Sequence, residues 1–153
     1  MSRLIYANGD VYVGDFNSSE EREDTAADAK SCMRYKNGDK YTGMWLGSDR
    51  HGQGKMEYAN GDVYDGMWLH NQKHTVKEEK GVMTYNCGDV YTGPWWQDVK
   101  SGTAGVMVYA NKDEFTGDWM EDARKDGVGK MVYKSLPAYE GEDKFPEYNG
   151  HWI

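Results

Sequence analysis

Among the side chains able to do chemistry, histidine, aspartate and cysteine come first. The chain carries four histidines, His51, His70, His74 and His151. None belongs to a His-Glu-x-x-His pattern, and no nucleophile elbow or glycine-rich phosphate loop accompanies them. Aspartate recurs, with Asp10, Asp39, Asp62, Asp89 and Asp113 each standing just after a turn. A row of carboxylates suggests Ca²⁺, which takes several oxygen ligands at about 2.4 Å. With two strands to each repeat, neighbouring aspartates stand about 10 Å apart, too far to share one ion. Their expected role is turn stabilisation, the carboxylate bonding nearby backbone N–H groups. Cys32 and Cys87 lie about two repeats apart, on the order of 20 Å by the same spacing. A disulfide tolerates a Cα separation of only about 7 Å, so both are expected to be free thiols. These residues imply no catalytic site, no metal and no cofactor: the chain reads as a non-enzyme.

What remains is aromatic and periodic. The segments NGDVYVGDF from Asn8, NGDKYTGMW from Asn37, NGDVYDGMW from Asn60, NCGDVYTGPW from Asn86 and NKDEFTGDW from Asn111 repeat one pattern. Their second aromatics, Tyr12, Tyr41, Tyr64, Tyr91 and Phe115, are 29, 23, 27 and 24 residues apart. A weaker copy follows at Tyr139, and a stray one at Tyr148. Upstream of the later copies runs Gly-x-Met-x-Tyr, as in Gly54, Met56 and Tyr58.

Both halves alternate with period two, which is the strand signature. Between them, Ala59–Val63 reads as a hairpin turn. Parity fixes the loop. A two-residue Asn60-Gly61 loop would pair Tyr58 with Val63 and throw the aromatic faces to opposite sides. A three-residue loop with Gly61 in the left-handed bulge position puts Met56, Tyr58, Tyr64 and Trp68 on one side. Gly54 and Gly66 then leave room for the large rings beside them. The predicted fold is all-β: an elongated, twisted antiparallel meander of about six hairpins, a single-layer repeat sheet on the order of 55–60 Å long. The hairpins are expected at about 1–16, 31–45, 54–68, 81–95, 105–119 and 129–153, as one domain over 1–153. The acidic loop after Phe16 has capping-box spacing at Ser18 and Glu21 but no apolar face, so a helix there would be short and marginal. Pro94 removes one ladder donor from its strand. The tail is expected to cap the last edge, by either the Tyr139 or the Tyr148 segment.

Tyr41-Thr-Gly-Met-Trp45 followed by His51-Gly52-Gln53-Gly54 resembles the MORN repeat, whose pattern runs Tyr-x-Gly-x-Trp, then His-Gly-x-Gly. The resemblance extends from Tyr6 to at least Tyr139 and implies the same meander of hairpins. The His-Gly-x-Gly part is intact only in this copy, and His74 is followed by an inserted TVKEEK.

Tyr41, Trp45, Tyr64, Trp68, Tyr91, Trp95, Phe115 and Trp119 are expected to stack and stabilise the sheet. A one-layer sheet also leaves a broad face uncovered, and extended apolar surface rich in Tyr and Trp marks a partner site. These eight are therefore the candidate partner-binding groove. The formal net charge of −8 argues against nucleic acid and against anionic lipid. The N-terminus lacks the apolar core of a signal peptide, and no run approaches the ~20 apolar residues of a membrane span, so a cytoplasmic setting is expected.

The leading expectation is an interaction scaffold whose groove receives a partner's helix or extended peptide. The resemblance implies cytoskeletal, ciliary or flagellar assemblies, such as a radial spoke of an axoneme, and the possibility of a homodimer. A second expectation, also from the resemblance, is phospholipid binding or membrane tethering. Lys73, Lys77 and Lys80, and Arg124, Lys125, Lys130 and Lys134, are the nearest basic clusters, diluted by Glu78, Glu79, Glu121, Asp122 and Asp126. A third is an accessory subunit of an enzyme on another chain, since six hairpins leave no room here for a catalytic domain.

Overall fold

Period-two alternation becomes one sheet. The computed structural model describes residues 2–16, 18–19, 22–24, 31–77, 79–138 and 144–152. Twelve strands follow one another antiparallel in chain order, from Ser2–Ile5 and Val11–Gly14 at one edge to Gly127–Val132 and Glu147–Trp152 at the other. The two edges do not meet, so the sheet is an open meander rather than a barrel.

The third hairpin shows how the residues dictate the register. Asp49–Glu57 pairs with Val63–Leu69 so that Met56 stands opposite Tyr64 and Gly54 opposite Gly66. The Tyr58 amide donates to the Asp62 carbonyl at 2.9 Å, and the Gly61 amide to the Tyr58 carbonyl at 2.9 Å. That leaves a three-residue loop, Ala59-Asn60-Gly61, with Gly61 at φ +93°, where a side chain would be strained. The odd loop sets the parity: Tyr64, Gly66 and Trp68 alternate inward along their strand, and Tyr58 packs against the same core.

The turn aspartates reach further than their own turns. Asp62 Oδ2 accepts from Asn60 Nδ2 at 2.9 Å, while Oδ1 accepts from the backbone amide of Asn86, in the next turn, at 2.8 Å. Asp10, Asp39, Asp89 and Asp113 make the same onward bond, to the amides of Lys36, Ala59, Ala110 and Ser135. One carboxylate per repeat thus staples each turn to its successor. Asp62→Ala removes the acceptor for an amide outside the hairpin and is expected to cost about 1–2 kcal/mol. Asp62→Asn, which keeps an acceptor oxygen, should cost less. Urea unfolding of both variants checks the order.

A second turn follows each tryptophan, and the sequence reading missed it. His70-Asn71, Gln97-Asp98 and Glu121-Asp122 all have positive φ, the type I′ geometry of a two-residue hairpin. Each turns the chain back: Gln72–Lys73 pairs with Trp68 and Leu69, and Ala123–Arg124 with Trp119 and Met120. Pro94 breaks its strand between Val90–Gly93 and Trp95–Trp96. The Trp95 backbone bonds instead with Thr75 of the inserted segment.

At the C-terminal edge the Tyr148 segment forms the last described strand. Glu147–Trp152 pairs with Gly127–Val132, with Gly150 opposite Gly129 and Tyr148 opposite Met131. Tyr139 lies outside the described residues, as does Glu21 of the capping-box pair. Within the acidic loop, Glu23–Asp24 adds a short strand against Trp45 and Leu46.

Candidate functional site: a groove over an aromatic column

Each repeat contributes two rings to a single column. Trp68 meets Tyr41 of the preceding repeat at 5.5 Å and its own Tyr64 at 5.2 Å, both edge to face. Tyr64 then meets Trp95 at 5.3 Å, Trp95 meets Tyr91 at 5.4 Å, Tyr91 meets Trp119 at 5.1 Å, and Trp119 meets Phe115 at 5.8 Å. At the other end Trp45 joins Tyr41 to Tyr12. Most of the polar tips are satisfied internally, while Trp45 Nε1 is buried with no hydrogen-bond partner among the described residues. Tyr41 and Tyr64 donate to the Met44 and Met67 carbonyls, and the Trp68, Trp95 and Trp119 indole N–H groups to the carbonyls of Gly54, Gly81 and Gly105. All eight residues singled out in the sequence are therefore brought together, yet none exposes more than 5% of its surface.

The rings are roofed because the second turn carries a cation back over them. The Arg22 guanidinium lies 4.5 Å from the Trp45 ring and that of Arg50 4.5 Å from Trp68. The Lys73 ammonium lies 4.9 Å from Trp95 and that of Lys100 4.9 Å from Trp119. In each case the cation of one repeat covers the tryptophan of the next. Such contacts contribute about 0.5–2 kcal/mol, more as they are desolvated. Burial lowers the pKa values of Lys73 and Lys100, against which Asp98 and Asp122 act to raise them. The signal was present in the sequence: a basic residue stands five positions after Trp45, Trp68, Trp95 and Trp119, at Arg50, Lys73, Lys100 and Arg124.

Above the column runs a row of half-buried tyrosines, Tyr6, Tyr35, Tyr58, Tyr85 and Tyr109, packed against the core by one face. Burial pushes the Tyr58 and Tyr85 phenols up to about 12. Tyrosines and cations together line consecutive concavities. The first is bounded by Asp10 and Ser48, the second by Asp39 and Asp98, and both share Tyr35, Arg50 and Asn71. The result is a groove with the Asn-x-Asp turns on one wall and the type I′ turns on the other. The eight rings form its floor, and the lining that meets solvent is the tyrosine and cation rows.

The remaining candidates sit elsewhere. Leu46, Leu69, Trp96 and Met120, each one residue after the column tryptophan, form an exposed ridge at 37–54% exposure. Their strand alternation turns them away from the buried rings. His70 bonds Asp49 at 3.0 Å beside His51, and His74 packs on Trp96 at 4.6 Å. Among the described residues no group of three or more His, Cys, Asp or Glu could hold a metal ion, and no helix is long and apolar enough to cross a membrane. Cys32 and Cys87 are free. The two basic clusters are dispersed: Lys73 is largely covered at the column, Lys130 pairs with Glu147 at 2.6 Å, and Lys134 pairs with Glu114 at 3.0 Å.

No family model and no curated protein sequence matches the chain. Among solved structures it is similar to the TCP domain of SAS-4 (dCPAP) from Drosophila melanogaster, in complex with a proline-rich motif of Ana2 (dSTIL). The TM-score is 0.50 at 14% sequence identity over 86% of this chain, which spans 65% of the length of that one. At this identity the likeness speaks to the fold alone.

Proposed function

We propose that this chain is a non-catalytic interaction module that seats an extended peptide or a helix of a partner protein in the groove. The observation carrying this reading is the continuous lining, in which each repeat presents one half-buried tyrosine and one ring-capping cation. Tyrosine and arginine dominate the energetics of protein interfaces, and concave repeat surfaces present such groups in series. The similar SAS-4 domain, held with a proline-rich motif, supports a peptide as occupant. The resemblance of the repeats to MORN units supports membership of that family and a place in a cytoskeletal, ciliary or axonemal assembly. Lipid binding has less support, because Lys73 is covered at the column and Lys130 and Lys134 pair with carboxylates.

The test is copurification of partners by the tagged chain from its native cells, with two variants alongside. One removes groove tyrosines (Tyr58→Ala with Tyr85→Ala); the other removes the ridge (Leu69→Ser with Trp96→Ser). Both are first matched to the parent by circular dichroism. The groove variant is expected to lose its partner about tenfold while the ridge variant keeps it. The reverse pattern would place the partner on the ridge and overturn the reading.

A further inference from the structure

Resting on that reading, we infer that the occupant is a basic, proline-rich segment in the polyproline II conformation, seated with one turn per repeat. The inference comes from pitch. Equivalent rings of neighbouring repeats are two strands apart in the sheet, hence about 9.6 Å at ~4.8 Å per strand. A polyproline II helix repeats every three residues, or about 9.3 Å. An α-helix returns a residue to one face after seven, about 10.5 Å. A β-strand returns one every two residues, about 6.6 Å, or every four, about 13 Å, and matches neither. From Tyr6 to Tyr109 the row makes four steps. Over that distance polyproline II drifts by about 1 Å and an α-helix by nearly 4 Å. Only the former keeps every third residue over a tyrosine.

The chemistry of the lining agrees with the pitch. A polyproline II segment has no internal hydrogen bonds, so its carbonyls need donors from outside. Among the described residues the Tyr35, Tyr58 and Tyr85 hydroxyls have no hydrogen-bond partner. Tyr6 accepts from Arg22 at 2.7 Å and so keeps its own proton to donate. The half-buried phenol faces suit the flat edge of a pyrrolidine ring, the mode by which aromatic grooves hold proline-rich ligands. The walls supply the charge. In the middle of the groove Asp39, Asp62, Asp89, Asp98 and Asp122 outnumber Arg50, Lys73 and Lys100, and the three cations are turned onto ring faces. Lysine or arginine between the prolines of the ligand would meet this acidic rim.

Three synthetic probes of equal charge test the inference by fluorescence anisotropy, each of about five polyproline turns or about 15 residues. The first places proline at every third position with lysine between. The second has the same composition with the prolines out of phase. The third is an amphipathic helix. The phased probe is expected to bind the parent at least about tenfold tighter than the other two, to weaken at high salt, and to lose binding with Tyr58→Ala, Tyr85→Ala. Equal binding of the phased and unphased probes, or tighter binding of the helix, overturns the inference. So does failure of all three while the copurifying partner still requires Tyr58 and Tyr85; in that case the groove stands and only its occupant changes. If the partner ignores those tyrosines, the groove reading itself falls.

Discussion

Trp68→Ala lowers stability by about 3–5 kcal/mol, the range for removing a large buried aromatic. The side chain is 3% exposed, touches two tyrosines edge to face, caps the Gly54 carbonyl and carries Arg50 on its face. Edge-to-face pairs add about 0.5–1.5 kcal/mol each beyond area burial. The loss is not confined to one hairpin, because Trp68 bridges Tyr41 and Tyr64 of successive repeats. In a chain of repeats that contact mainly their neighbours, such a break uncouples the two sides. Hydrogen exchange should therefore show Lys40–Leu46 and Val63–Leu69 losing protection first. Trp96→Ala is the control. At 54% exposure on the ridge, it should change stability by no more than about 0.5 kcal/mol. Urea unfolding of both variants measures the contrast.

Gly54→Ala is expected to cost about 3 kcal/mol or more, at the upper end for overpacking. A methyl group there would lie within the Tyr41 phenol, about 2.5 Å from ring carbons. The Tyr41 ring is held between Trp45 and Trp68 and by its bond to the Met44 carbonyl, so it cannot swing aside. The φ of Gly54 is not in the left-handed region, so the cost is contact and not backbone strain. A double-mutant cycle separates the two. Tyr41→Leu should be destabilising alone but should recover part of the loss when combined with Gly54→Ala. A simple sum of the two penalties would contradict the packing explanation.

Much of the sheet could be read from the residues because strand parity admits few solutions. The Asn-Gly turns, the alternating Met, Tyr and Trp, and the glycines beneath them agree on a single register, found again in the pairing of Met56 with Tyr64. The onward reach of the turn aspartates is not legible in sequence, because nothing local signals that Oδ1 bonds the amide of the next turn. The type I′ turns carry no local signal, because His70-Asn71, Gln97-Asp98 and Glu121-Asp122 contain no glycine. Their second residues are held by the preceding repeat instead, as when Asp98 Oδ1 accepts from the Lys73 amide. Missing those turns hid the cations. By sequence neighbours alone Lys73 and Arg124 fall into basic clusters, whereas in the fold each lies over a ring. For the same reason the eight rings expected to line the groove lie beneath its lining. The pairing of the Tyr148 segment at the C-terminal edge rests on a long-range feature, Gly150 opposite Gly129, which local sequence does not signal.

Tyrosines and tryptophans share one face, partly or wholly buried along the groove. Phenolate absorbance measured alongside circular dichroism through alkaline pH tests this arrangement. In the unfolded chain tyrosine ionises at about pH 10. In the folded chain burial pushes Tyr58 and Tyr85 up to about 12 and raises Tyr64 and Tyr91 as well. The unfolded chain therefore releases these protons first, so stability is level below about pH 10 and falls as pH rises through about 12. The predicted result is a distinct class of phenols, Tyr58 and Tyr85 among them, that stays protonated to about pH 12 and ionises together with unfolding. All the tyrosines ionising as one class near pH 10 in an intact sheet would contradict it.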